Sequence, residues 1–141
     1  LYGMAGLRLG YCLSANTGLL DCMRAAGQPW PVSTPAQAAG LAALEDAAYA
    51  DRVRALVRTE APFLWNGLRQ LGLSPIQPLA NYILFSAPCN DLAARCRRRG
   101  VLIRDCSNYR GLTPRWYRVA VRTHAENEKL LAVLRTALEE G

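Results

Sequence analysis

The sequence predicts an α/β chain whose second half is a small α+β unit, an antiparallel sheet with helices laid on one face. Three observations carry that prediction. First, 141 residues with 51% apolar content suffice for one ordinary domain or a pair of small ones with a buried core, which excludes disorder over most of the chain. Second, helical stretches punctuated by Gly and Pro dominate up to Gly72. Third, beyond Gly72 the pattern turns to strand, helix, strand, strand, helix, with short β-branched and aromatic runs between turn residues.

Leu7 to Leu13 (LRLGYCL) is an apolar run short enough for a strand leaving a Gly-rich loop. A helix follows from Asn16 to Ala26 and closes on Gly27. Gln28-Pro29-Trp30-Pro31-Val32 is held extended by its two prolines, and Ser33 or Thr34 caps a helix with Pro35 in its first turn. That helix, Pro35 to Ala48, is Ala-rich and small on all sides, which permits close packing. A longer helix is predicted from Tyr49 to Leu71, with Val53, Leu56, Val57, Leu64 and Leu68 on one stripe. Pro62 is expected to kink or divide it, because proline lacks the backbone donor and clashes one turn back.

In the second half, Asn81 to Ser86 (NYILFS) is a strand and Asn90 to Arg99 a short helix capped by Asn90 or Asp91. Val101 to Arg104 is a strand, Asp105 to Arg115 a loop, and Trp116 to Val121 an alternating strand. Ala125 to Leu138 is an amphipathic closing helix with Leu130, Leu131, Leu134 and Leu138 on its stripe. No internal repeat or low-complexity tract interrupts this order.

Seventeen Lys plus Arg against eleven Asp plus Glu give a charge of +6, and all the basic residues but Lys129 are Arg. Nucleic acid is not the expected partner. Arg95, Arg97, Arg98 and Arg99 end a helix that stops at Gly100, where the helix dipole favours cations, and no aromatic residues interleave with them. A solvated helix end is therefore preferred over a phosphate-binding face. The apolar stretches fall short of the roughly 18 residues needed to span a bilayer, and no signal segment stands at the start, so a soluble, cytoplasmic protein without a membrane partner is expected. Cys12, Cys22, Cys89, Cys96 and Cys106 form no C-x-x-C pair, so no metal site is expected. The single His124 stands at a helix start beside Glu126 and Glu128, and is read as a solvated surface histidine rather than a general base.

The most informative residues come early. Gly6-Leu7-Arg8-Leu9-Gly10-Tyr11 sets an Arg between two glycines, so a guanidinium can reach an anion while the backbone turns tightly beneath it. This segment resembles the one that follows the Schiff-base lysine in pyridoxal-phosphate enzymes of the aspartate aminotransferase fold, fold type I. There the lysine stands immediately before a stretch like Leu1-Tyr2-Gly3-Met4-Ala5, and the arginine, matched here by Arg8, holds the cofactor phosphate. Trp30-Pro31-Val32-Ser33, Ala36-Gln37-Ala38-Ala39, Ala43-Leu44-Glu45-Asp46 and Ala80-Asn81-Tyr82-Ile83-Leu84 are similar to the histidinol-phosphate aminotransferase branch of that family. Gly100-Val101-Leu102-Ile103-Arg104-Asp105-Cys106, Tyr117-Arg118-Val119-Ala120-Val121-Arg122-Thr123 and Glu126-Asn127-Glu128 are similar to its threonine-phosphate decarboxylase relatives. The blocks run in family order and span essentially the whole chain.

The resemblance implies residues 1–48 as the remainder of the large cofactor-binding domain, 49–72 as a connecting helix and 73–141 as the small C-terminal α+β domain. It implies pyridoxal 5'-phosphate as cofactor of the intact enzyme, Arg118 as holder of the substrate carboxylate and Arg104 as reader of a substrate phosphate, with Arg122 the competitor for the phosphate role. No residue of the chain is assigned as catalytic, because the family lysine would directly precede Leu1. Lys129 is expected on the solvent side of the last helix, outside the site, so the chain by itself is expected to bind no cofactor covalently and to be inactive. The implied activity is decarboxylation of L-threonine-O-3-phosphate to aminopropanol phosphate for cobalamin, by an enzyme that is a homodimer when intact. Histidinol-phosphate aminotransfer is the alternative, and a non-catalytic anion-binding or interaction module is the reading from a different class.

Overall fold

The computed structural model describes residues 2–140, which divide into two compact units, one up to Val53 and one from Arg54 onward. The first unit opens on a 3-10 turn, Ala5–Leu7, after which Arg8 takes a left-handed conformation (φ 56°). The strand expected over Leu7 to Leu13 does not form. The positive φ at Arg8 breaks the extended run, and none of the described residues pairs with it to make a ladder. Helix α1 (Thr17–Ala26) is capped by Asn16, whose Oδ1 accepts from the Leu19 amide at 3.0 Å, and ends at Gly27. Helix α2 (Thr34–Glu45) is capped by Ser33, whose Oγ accepts from the Ala36 amide, with Pro35 in its first turn.

Helix α3 (Ala47–Gln70) begins two residues before its expected start, because Asp46 ends α2 and offers its Oδ1 to the Tyr49 amide at 2.8 Å. It runs through Pro62 undivided. Its end is a Schellman turn in which the Leu73 amide reaches the Leu68 carbonyl and the Gly72 amide the Arg69 carbonyl, with Gly72 at φ 75°.

The second unit holds a four-stranded antiparallel sheet of order β1-β2-β4-β3: β1 (Ser74–Pro75), β2 (Tyr82–Ser86), β3 (Arg104–Asp105) and β4 (Trp116–Ala120). The two-residue β1 carries no sequence pattern and was not expected. Strand β3 is shorter and later than the Val101 to Arg104 expected. The Val101 amide is spent on the Cys96 carbonyl in a second Schellman turn, which closes helix α4 (Leu92–Arg98) through Gly100 at φ 74°. Asp91 occupies the N-cap position of α4, but its carboxylate takes Arg95 instead of a backbone amide. Helix α5 (His124–Glu139) closes the chain.

Registers Ile83↔Val119 and Phe85↔Tyr117 put four buried side chains on one sheet face, where they join Leu64 and Leu68 of α3, Leu92 and Cys96 of α4, and Leu130 and Leu134 of α5 in one apolar cluster. The buried Tyr117 hydroxyl accepts from the Leu92 amide and lies 3.1 Å from the Cys89 carbonyl oxygen, which ties the loop before α4 to the sheet. Among the described residues, no helix is long and apolar enough to cross a membrane.

Candidate functional site

Alternation along β4 turns Tyr117 and Val119 into the core and Arg118 to the opposite face. Antiparallel pairing of β3 with β4 places Arg104 directly across from Arg118, so two guanidiniums stand as cross-strand neighbours. Among the described residues neither makes an ion pair. Arg118 lies over the Tyr82 ring, 4.4 Å from Cζ to the ring centre, and its Nη1 donates to the Tyr109 hydroxyl at 3.3 Å. Arg104 donates to Asn108 Oδ1 at 3.1 Å and sits 5.7 Å from the Tyr109 ring centre. Both arginines line an open cleft of about 540 Å³, together with Arg122 and Lys129 and one carboxylate, Glu126.

That carboxylate is already committed. Arg122 reaches Glu126 Oε1 at 2.6 Å, and Thr123 donates to Glu126 through both its amide and its hydroxyl. The Arg122 guanidinium, with Thr123 assisting, pulls the Glu126 carboxyl down to about 2, and the pairing raises Arg122 in turn. Strand β4 ends at Ala120, so Arg122 stands in the turn into α5. Lys129 is exposed as expected, but it borders the same cleft as Arg104 and Arg118. The first turns of α5 form one wall there, which corrects its placement outside the site.

In the first unit Arg8 is exposed and is the one non-glycine residue at positive φ among those described. Holding an arginine there costs on the order of 1–2 kcal/mol, which marks the turn as a place of selected geometry. Its Nη1 donates to the Ala5 carbonyl at 3.2 Å, leaving the remaining guanidinium donors open to an anion.

His124 is exposed as expected, and its Nδ1 lies 3.1 Å from Oε1 of the buried Glu60 while its ring packs on Phe63 at 4.4 Å. Asn127 also donates to Glu60, at 2.9 Å, so the histidine belongs to a polar latch joining α3 to α5 and lies outside the cleft lining. The arginines ending α4 are a clamp more than a solvated face. Arg95 holds Asp91 and the Ala137 carbonyl, while Arg98 and Arg99 both reach Glu140 at the end of α5. Tyr82, Asn108 and Tyr109 were not singled out by sequence reasoning. The alternation that exposes Arg118 also exposes Tyr82, whereas Tyr109 reaches the arginines only through the shape of its loop.

The sequence model described as aminotransferase class I and II matches residues 1–134. The threonine-phosphate decarboxylase of Salmonella typhimurium is 40% identical over 140 residues, covering 97% of this chain and 38% of that protein. The histidinol-phosphate aminotransferase of Symbiobacterium thermophilum is 40% identical over 143 residues, covering 100% of this chain and 39% of that protein. Among solved structures, the L-threonine-O-3-phosphate decarboxylase from Porphyromonas gingivalis superposes with a TM-score of 0.82 at 27% identity, covering 98% of this chain and 44% of that one. The histidinol-phosphate aminotransferase from Clostridium acetobutylicum superposes with a TM-score of 0.88 over 99% of this chain and 43% of that one. At 24% identity that likeness speaks for the fold alone. The chain spans about two-fifths of the length of the curated relatives it matches.

Proposed function

The chain belongs to the aminotransferase class I and II family, and from that premise we propose that it is the C-terminal part of a pyridoxal-phosphate-dependent L-threonine-O-3-phosphate decarboxylase, which makes aminopropanol phosphate for cobalamin. The observation that carries this is the pair Arg104 and Arg118, set side by side in an open cleft with neutral partners only. A substrate bearing a carboxylate and a phosphate supplies the two anions that such a pair lacks, and the planar two-pronged guanidinium suits both. In this reading Arg118 holds the carboxylate and Arg104 the phosphate. Arg122, neutralised by Glu126, is the weaker candidate for the phosphate. Residues 1–48 belong to the large cofactor-binding domain, 49–72 to the connecting helix and 73–141 to the small domain of a cytoplasmic homodimer.

The donor set around Arg8 fits the phosphate of the cofactor: an exposed guanidinium on a fixed turn, with most of its donors uncommitted. When bound, pyridoxal phosphate supplies the electron sink for the bond that breaks at the substrate α-carbon. This chain's arginines orient the substrate and thereby decide which bond that is. No residue among 1–141 is assigned the covalent or proton-transferring role.

Histidinol-phosphate aminotransfer is the second reading, favoured by the equal 40% identity to the Symbiobacterium thermophilum enzyme. The two separate in one assay of the full-length protein with added pyridoxal phosphate. Release of carbon dioxide and aminopropanol phosphate from L-threonine-O-3-phosphate is expected. Amino transfer from histidinol phosphate to an oxo acid, without decarboxylation of threonine phosphate, would select the second reading, and neither reaction would overturn both.

A further inference from the structure

We propose that Tyr109 is a positioning residue that aims Arg104 and Arg118 together, and that it thereby sets how strongly the cleft prefers a doubly anionic substrate over its unphosphorylated counterpart; the proposal rests on the substrate roles given above to the two arginines. Like charges directly opposite on neighbouring strands repel, so a pair in register across β3 and β4 needs something to hold it. The cleft's other arginine shows one solution, a carboxylate, since Arg122 is held by Glu126. For Arg104 and Arg118 the solution is neutral. One side chain meets both cations through two different surfaces: the Tyr109 hydroxyl accepts from Arg118 at 3.3 Å, and its ring lies 5.7 Å from the Arg104 guanidinium carbon.

The difference has a chemical consequence. A carboxylate in that place would cancel one positive charge and compete with any incoming anion, whereas a phenol fixes direction and leaves the charge to the ligand. The aim is fixed because the loop carrying Tyr109 is closed on itself. The Tyr109 amide donates to the Cys106 carbonyl at 2.9 Å, the Leu112 amide to the Tyr109 carbonyl at 3.0 Å, and the Cys106 amide to the Trp116 carbonyl at 2.9 Å. Asn108, the residue before, adds a second hold on Arg104 alone. Tyr82 supports the Arg118 guanidinium with its ring. Among the described residues, Tyr109 alone makes a hydrogen bond or cation–π contact with both arginines.

Two variants of the full-length enzyme dissect the two surfaces, each assayed with L-threonine-O-3-phosphate and with L-threonine. Tyr109→Phe removes the hydroxyl and keeps the ring. It is expected to raise KM about tenfold for both substrates alike, with kcat little changed, since only the aim of Arg118 is lost. Tyr109→Leu removes the ring as well, and in addition to that KM effect is expected to lower the preference for the phosphorylated substrate roughly 2- to 5-fold through Arg104. A lower Tm and lower kcat with KM and preference unchanged would show a structural role only and overturn the proposal. Arg104→Ala and Arg118→Ala are run beside them. If those two are impaired while both Tyr109 variants keep wild-type KM and preference, the positioning role is wrong and the substrate reading stands. If all four are silent, the substrate reading falls and takes this proposal with it.

Discussion

Arg118 and Arg122 are four residues apart, yet their guanidiniums are in opposite electrostatic situations. Arg122 is paired with Glu126 at 2.6 Å, whereas Arg118 meets a ring and a hydroxyl. Arg122→Ala in the full-length enzyme is therefore expected to leave the ratio of kcat/KM for phosphorylated over unphosphorylated threonine within about twofold of wild type, since a paired guanidinium has little left for a ligand. Tyr117 is the second residue whose chemistry can be isolated. Burial pushes its phenol up to about 12, and its hydroxyl serves the Leu92 amide. Tyr117→Phe strands a buried donor and is expected to cost about 1–3 kcal/mol, read as a lower denaturant midpoint with unchanged slope. At this scale the outward aim of Arg118 was legible from strand alternation. The Glu60, His124 and Asn127 latch was not, because its partners lie 64 and 67 positions apart and no local spacing signals the meeting.

Helix α5 starts where Thr123 and Arg122 hold the Glu126 carboxylate, and this gives the element a defined acid response. The folded-state pKa of Glu126, about 2, lies below its ordinary 4.5, so its charge contributes stability that is fully present above pH 4.5 and is lost as pH falls towards 2. The stability difference between the native chain and Glu126→Gln is expected to be constant above pH 5 and to close over that acid window, measured by denaturant titration at each pH. A gap that widened on acidification would contradict it. Gly67 in α3 makes a related point about packing. A Cβ there would meet Leu131 Cδ1 and come within 2.9 Å of its Cδ2, so Gly67→Ala is expected to push the half-buried Leu131 side chain aside and to gain less than the roughly 1 kcal/mol that alanine's helix propensity alone would give, read as a denaturant midpoint near that of the native chain. Caps made most helices legible: Asn16, Ser33 and Gly72 each stand where a terminus was expected. Strands were read less well. An apolar run at Leu7 to Leu13 has the composition of a strand but no described partner, and β3 loses its start to the cap of α4, which only the folded chain reveals.

For the whole molecule, the order of family blocks was legible across nearly the full length, and so was the exposure of the apolar residues between Leu7 and Leu13 and along the Ala-rich helix. The unit from Arg54 onward holds the apolar cluster around Phe85, Tyr117 and Leu134, whereas before Val53 the buried hydrophobic residues among those described are Ala36 and Ala50. Tyr11, Leu13, Trp30 and Leu44 are each more than three-quarters exposed. Apolar patches above about 300–600 Å² rarely stay bare in a soluble monomer, so these 141 residues alone are expected to self-associate, seen as concentration-dependent mass in light scattering. A monodisperse monomer at high concentration would contradict that.

In the full-length enzyme, the discriminating quantity is kcat/KM for L-threonine-O-3-phosphate and for L-threonine in Arg104→Ala and Arg118→Ala. Each change removes one charge-assisted contact at the rim of an open cleft, expected to be worth about 1.5–3 kcal/mol, or roughly 10- to 150-fold. Arg104→Ala is predicted to impair the phosphorylated substrate by that factor and to spare threonine, and Arg118→Ala to impair both alike. A phosphate-selective defect in Arg122→Ala with Arg104→Ala silent would contradict the role given to Arg104. No selectivity in any of the three would contradict the phosphorylated amino-acid substrate itself.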